Sequence, residues 1–259
     1  MEFCAREYGP LDASTIVFIH GAFLGGWMWK KQVKYFNDYH CLVPDLPGQG
    51  QSINHKPFSI KTSAEQIAEL IRNKAHNGKA HVVGFSLGAQ ILVQLLKTSP
   101  EVIDHAIVNS ALVRHIPLSG LLIKTIPRLS LMRAGNRLFS RLQAKSYHLS
   151  GEDFEKYYSE TKQITLDTYE RVTKENMTFR LPEGMNRVNV PTLVIAGEKE
   201  LGVMRKSAED LVCAIPNTEG FIIKGVEHTF CFENPDLYHK VVRAWITDAP
   251  LQDERLQRI

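Results

Sequence analysis

The sequence predicts an α/β protein: a mostly parallel central sheet with helices on both faces and a helical lid insertion. Three observations carry that prediction. Short apolar runs rich in β-branched residues recur along the chain, capped helical patterns alternate with them, and one long central stretch holds helical periodicity without a strand. Consecutive apolar residues mark strands buried on both faces. Strands alternating with helices build parallel βαβ units.

In chain order, the expected strands are Thr15–Ile19, Cys41–Val43, Ala80–Val83, Ala106–Val108, Thr192–Ala196 and Gly220–Ile223. Between the second and third, Ser63 and Gln66 fit a capping box. It opens a helix with Ile67, Leu70 and Ile71 on one face, and Gly78 closes it. Gly84-Phe85-Ser86-Leu87-Gly88 opens a helix through Ile91, Leu92, Leu95 and Leu96. From about Val113 to Arg187 only helical periodicity and polar loops appear. Residues 1–112 and 188–259 are therefore expected to form one core domain, with 113–187 a helical lid packed over one edge of the sheet. Asn234 and Pro235 then form an N-cap and first-turn pair for a helix through Val241, Val242 and Trp245. There is no internal repeat.

Composition narrows the classes. With 44% apolar residues, and only 17 Gly and 12 Pro, the chain is neither disordered nor collagen-like. A net charge of +3 argues against nucleic acid as a partner. Cys4, Cys41, Cys213 and Cys231 lie far apart, which gives neither a zinc site nor a disulfide framework. No basic start followed by an apolar stretch marks a secretory signal, and no apolar run approaches the ~20 residues of a membrane span. A cytoplasmic protein without metal or cofactor is expected.

The chemistry centres on Ser86. A serine on a tight strand-to-helix turn has its hydroxyl pushed out at the carboxyl edge of the sheet, with small residues two before and two after. The helix N-terminus adds a positive dipole end where negative charge develops. His20-Gly21-Ala22-Phe23 follows the first strand, so the amides of Ala22 and Leu87 are candidates for a two-donor oxyanion hole. Trp27 and Trp29 follow that loop and either support the pocket wall or pack against the sheet. Among ten histidines, His228 lies in a loop after the last strand, on the same sheet edge as Ser86; His55, His76, His105, His148 and His239 lie in exposed or helical contexts. After Thr192–Ala196, Gly197-Glu198-Lys199-Glu200 offers two carboxylates, Glu198 and Glu200. The other place for an acid, after Val108, holds Asn109-Ser110.

His20 to Phe23, Asp45-Leu46-Pro47-Gly48-Gln49-Gly50-Gln51-Ser52, Gly84 to Ala89, Pro191 to Glu200 and Gly225 to His228 together resemble the α/β-hydrolase fold superfamily, in its small esterase-like type with a helical lid. The order Ser, acid, His is the family's order. The resemblance implies a triad of Ser86, His228 and Glu200, because the family pattern places its acid three residues after Gly197. Two departures stand out: the family more often has Asp at Glu200 and His at Gln49, where the loop is expected to shape the fold without touching the chemistry. Related dehalogenases and epoxide hydrolases use aspartate as nucleophile, which Ser86 excludes.

The expected function is a serine esterase, hydrolysing a small or medium carboxylic ester, thioester or lactone through an acyl-enzyme. The alternatives are a cofactor-free C–C bond hydrolase or lyase on the same triad, or a non-turnover small-molecule receptor or regulatory partner. Residues 113–150 carry Arg114, Lys124, Arg128, Arg133, Arg137, Arg141 and Lys145 with no acid, whereas 151–187 hold six basic and eight acidic residues. Arg133, Arg137, Arg141 and Lys145 recur every fourth residue, a like-charged stripe if one helix carries them. Solvation, an anionic substrate, a membrane surface without insertion, or the acidic second half of the lid would accommodate it.

Overall fold

The computed structural model describes residues 4–55, 57–114, 116, 119–149 and 151–259. The side chains of residues 119, 121, 122, 124, 132 and 133 also lie outside the description, so Lys124 and Arg133 of the basic segment are not placed.

The described elements run β1 (Ala5–Tyr8), β2 (Thr15–Ile19), α1 (Lys30–Tyr35), β3 (His40–Pro44), α2 (Ile60–Lys74), β4 (Ala80–Phe85), α3 (Leu87–Thr98) and β5 (Ile103–Asn109). Four helices follow without a strand among the described residues: α4 (Ser119–Ala134), α5 (Arg137–Ser146), α6 (Gly151–Thr161) and α7 (Leu166–Thr178). The chain returns through β6 (Thr192–Gly197), α8 (Gly202–Ala214), β7 (Thr218–Ile223), α9 (Phe230–Glu233), α10 (Pro235–Ile246) and β8 (Leu256–Arg258).

The sheet order is β1-β3-β2-β4-β5-β6-β7-β8, with the six inner strands parallel. Those six are the strands that the apolar runs predict. Their residues alternate between two cores. Val17, Ile19 and Val82 pack with α2 and α3 on one face, while Ile16, Phe18 and Val83 pack with Trp29 and α10 on the other. Fully burying one such side chain stabilises the fold by about 1.5–3 kcal/mol. The two antiparallel edge strands, β1 and β8, are absent from the sequence expectation.

The start of α2 corrects another expectation. Ser59, not Ser63, is the N-cap, accepting from the Thr62 amide, and Ser63 and Gln66 lie inside the helix. The helix ends at Lys74, and Gly78 closes a separate 3-10 turn, His76–Gly78. The Asn234 cap stands as predicted, accepting from the Leu237 amide.

Helices α6 and α7 contact the segment after β2 and helix α3. Tyr169 meets Phe23 at 4.5 Å between ring centroids. Asn176 donates to Gln90 Oε1 and its carbonyl accepts from Gln90 Nε2. Trp27 Nε1 donates to Glu160 Oε2 at 2.7 Å, and burial raises the pKa of that carboxyl while the hydrogen bonds from Trp27 and Lys156 oppose the shift.

Candidate active site

The strand order reverses at β2 and β4, the place where open parallel sheets bind ligands beyond their carboxyl ends. Ser86 leaves β4 there with φ 54° and ψ −112°, a left-handed conformation that costs a non-glycine residue about 1–3 kcal/mol. Neighbouring backbone holds it. Its amide donates to the Asn109 carbonyl at 2.9 Å, and its carbonyl accepts from the amides of Ala89 and Gln90, which starts α3. Both flanking glycines are sterically required. A Cβ at Gly84 would lie 2.5 Å from the Gly88 carbonyl oxygen, and one at Gly88 2.3 Å from that of Ile19.

Ser86 Oγ lies 3.1 Å from His228 Nε2, and His228 Nδ1 donates to Glu200 Oε2 at 2.8 Å. The Phe85 ring supports the imidazole at 5.1 Å between centroids. Glu200's side chain is 1% exposed and that of His228 38%, so the acid is sealed while the imidazole faces solvent. Burial alone would raise the pKa of Glu200. Hydrogen bonds and charge from His228, with hydrogen bonds from Ser110 and the Gly197 amide, outweigh it and hold the carboxyl below its ordinary value.

Sequence reasoning missed Ser110. Its hydroxyl donates to Glu200 Oε1 at 2.6 Å and accepts from Asn109 Nδ2 at 2.7 Å. Two consecutive residues at the end of β5 thus hold Ser86 and Glu200, Asn109 by its carbonyl and Ser110 by its hydroxyl. In the sequence, Asn109-Ser110 marks only a place lacking a carboxylate. Glu198 is exposed and accepts from the Gly225 amide at 2.8 Å, so it braces the histidine loop from outside.

Leu87 follows Ser86, a Cβ on Gly21, the residue before Ala22, would lie 3.5 Å from Ser86 Cβ, and neither the Ala22 nor the Leu87 amide has a protein partner among the described residues. Leu87 opens α3, where helical amides are free to face a ligand. The next residue, Phe23, has φ 60° and donates its amide to Gln49 Oε1 at 2.6 Å. Through that contact the Gln49 side chain clamps the loop that carries Ala22. His20 is a fully buried strap, its Nδ1 donating to the Gly21 carbonyl and its Nε2 accepting from the Leu46 amide. Burial lowers its pKa, partly offset by Asp45 and the Gly21 bond.

Trp29 packs in the core against Phe18 and Tyr238, and Trp27 ties to Glu160, so Trp29 is a packing residue. A cavity of about 180 Å³ lies beside Phe23, under α4 to α7, with Tyr147, Tyr157, Tyr169, Ser130 and Gln143 in its wall; Ser86 and His228 are not among its lining residues. The expected basic stripe is not continuous. α4 ends at Ala134 and α5 starts after the Asn136 cap, which separates Arg133 from Arg137, Arg141 and Lys145. Arg137 is ion-paired with Glu155 of the acidic half and lies over the Phe154 and Tyr158 rings.

The model of the alpha/beta hydrolase family matches residues 16–241. A superfamily protein of Gibberella zeae is 36% identical over 106 residues, 40% of this chain and 37% of its own length. A carboxylesterase of Bacillus subtilis is 20% identical over 92% of this chain and 82% of its own. Among solved structures, an esterase from Exiguobacterium antarcticum superposes with a TM-score of 0.78 at 14% identity, covering 94% of each chain, a likeness of fold alone. Among the described residues, no helix is long and apolar enough to cross a membrane.

Proposed function

The chain belongs to the alpha/beta hydrolase family, and from that premise we propose that it is a serine hydrolase acting on a small or medium carboxylic ester, thioester or lactone. The observation that carries the reading is the unbroken relay Ser86 Oγ, His228, Glu200, at 3.1 and 2.8 Å. Ser86 attacks the carbonyl carbon as His228 Nε2 takes its proton. Glu200 fixes the tautomer with Nδ1 protonated and stabilises the imidazolium. The amides of Ala22 and Leu87 receive the oxyanion, each donor worth roughly 2.7–4 kcal/mol in the transition state. His228 then protonates the leaving alcohol, and a water activated by the same Nε2 releases the acid.

Residues 113–187 act as the lid over residues 1–112 and 188–259. The contacts of Tyr169 with Phe23 and of Glu160 with Trp27 support that role. Four free thiols support work in the reducing cytoplasm. The proposed cycle uses only protein groups and water.

The test is a panel of chromogenic esters of increasing acyl length, followed at millisecond resolution. The reading expects repeated turnover with a burst of released alcohol equal to enzyme. Binding or a single cleavage without turnover would overturn it in favour of a receptor.

A further inference from the structure

Helix α5 is built inside out. Its buried positions are Ser140 and Ala144, and Ser140, Gln143 and the adjoining Tyr147 face the cavity beside Phe23. Leu138 and Leu142, each two residues from Ser140 and so about 160° round the helix, point the other way. They are 70% and 63% exposed. Arg141 and Lys145 share that outward side and are exposed. Arg141 leans over the Phe154 ring without an acidic partner among the described contacts, and residues 113–150 hold no Asp or Glu.

We propose that the outward face of α5, formed by Leu138, Arg141, Leu142 and Lys145, docks on an anionic lipid surface. The chemistry of that face selects the occupant. Two leucines a turn apart require an apolar phase, and the cations beside them require anions at the boundary of that phase. Lipid headgroups over acyl chains supply both in one plane. A second copy of the chain fits poorly, since a two-fold contact would set Arg141 and Lys145 near their own images with no acid on the helix to pair them. The helix is too short to span a bilayer, so it lies on the surface. Because its inner side roofs the cavity, docking holds that cavity against the membrane. Docking itself does not depend on the ester-hydrolase reading.

The test is flotation of the full chain with vesicles of phosphatidylcholine alone or mixed with phosphatidylserine, at low and high salt. Co-flotation is expected with the anionic vesicles at low salt, and little with neutral vesicles or at high salt. Arg141→Gln with Lys145→Gln should weaken it about thirtyfold. Leu138→Ser with Leu142→Ser should weaken it by on the order of tenfold or more. All four side chains are exposed, so melting temperatures should stay within about 2 °C of the parent. Failure to float with anionic vesicles at low salt would overturn the proposal, as would binding untouched by the leucine pair. A concentration-dependent dimer lost in the leucine variant would assign the face to a second copy instead.

Discussion

Glu200 reaches His228 Nδ1 at 2.8 Å although its side chain is a methylene longer than the aspartate more common at this place. The loop accommodates the extra length by a tight turn. The Glu200 amide donates back to the Gly197 carbonyl at 3.2 Å, while Glu200 Oε1 accepts from the Gly197 amide at 2.7 Å. The carboxylate is thereby fixed by its own turn before it meets the histidine.

Glu200→Gln should keep the fold and lower turnover by about ten-thousandfold, because an amide cannot hold the tautomer or balance the imidazolium. Glu198→Gln, at the outer brace, should change turnover by less than about threefold, since exposed loop charges contribute little. Steady-state kinetics on one ester decides it, and the reverse ranking would move the acid to Glu198.

Ser110→Ala removes the one side-chain donor to Glu200 other than His228 among the described residues. The hydrogen bond favours the charged carboxylate, so its loss raises the pKa of Glu200. The acid limb of the kcat/KM profile should move to higher pH, with a loss of about tenfold at neutral pH. An unchanged profile would reduce Ser110 to packing.

Gln49→Ala frees the Phe23 amide and the loop beside Ala22. A misplaced oxyanion donor weakens the transition state more than the ground state, so kcat should fall by on the order of tenfold to a hundredfold with little change in KM. A rise in KM at constant kcat would instead place Gln49 in ground-state binding.

Acid should destabilise the fold through its buried histidines. Burial lowers the pKa of His20, and burial with the neighbouring His105 lowers that of His81 to about 4, against the ordinary 6.5. Below that ordinary value the unfolded chain takes up protons that the folded chain refuses, so stability falls as pH falls, by up to about 1.4 kcal/mol per pH unit for each histidine. For His81 the loss runs from 6.5 down to about 4. Urea midpoints measured across that range should decline steadily, and a flat series would contradict the assignment.

The legible parts of the molecule were those governed by local pattern. Six strands declared themselves because burial on both faces forces continuous apolar runs. β1 and β8 did not, since an edge strand is covered on one side only and tolerates Arg6, Glu7 and Arg258. Ser59 and Ser63 are both capping residue types, and tertiary contacts separate them: Ile60 packs in the core with its amide donating to Glu175, and Ser63 is buried inside the helix. Ser86 and His228 were readable because each follows a recognisable strand, whereas strand position left Glu198 and Glu200 both open and the choice of Glu200 rested on the family resemblance. Ser110 and Gln49 were not, because their partners lie 90 and 26 residues away and no local signal marks a serine or glutamine that braces a distant loop.

The central claim is that Ser86 is the nucleophile, and its most direct test is intact-mass spectrometry after exposure to a fluorophosphonate probe. The parent chain should gain one adduct, mapped by digestion to Ser86. Ser86→Ala should gain none and lose turnover by on the order of a millionfold. An adduct of equal yield on Ser86→Ala, or on another residue of the parent, would contradict the account.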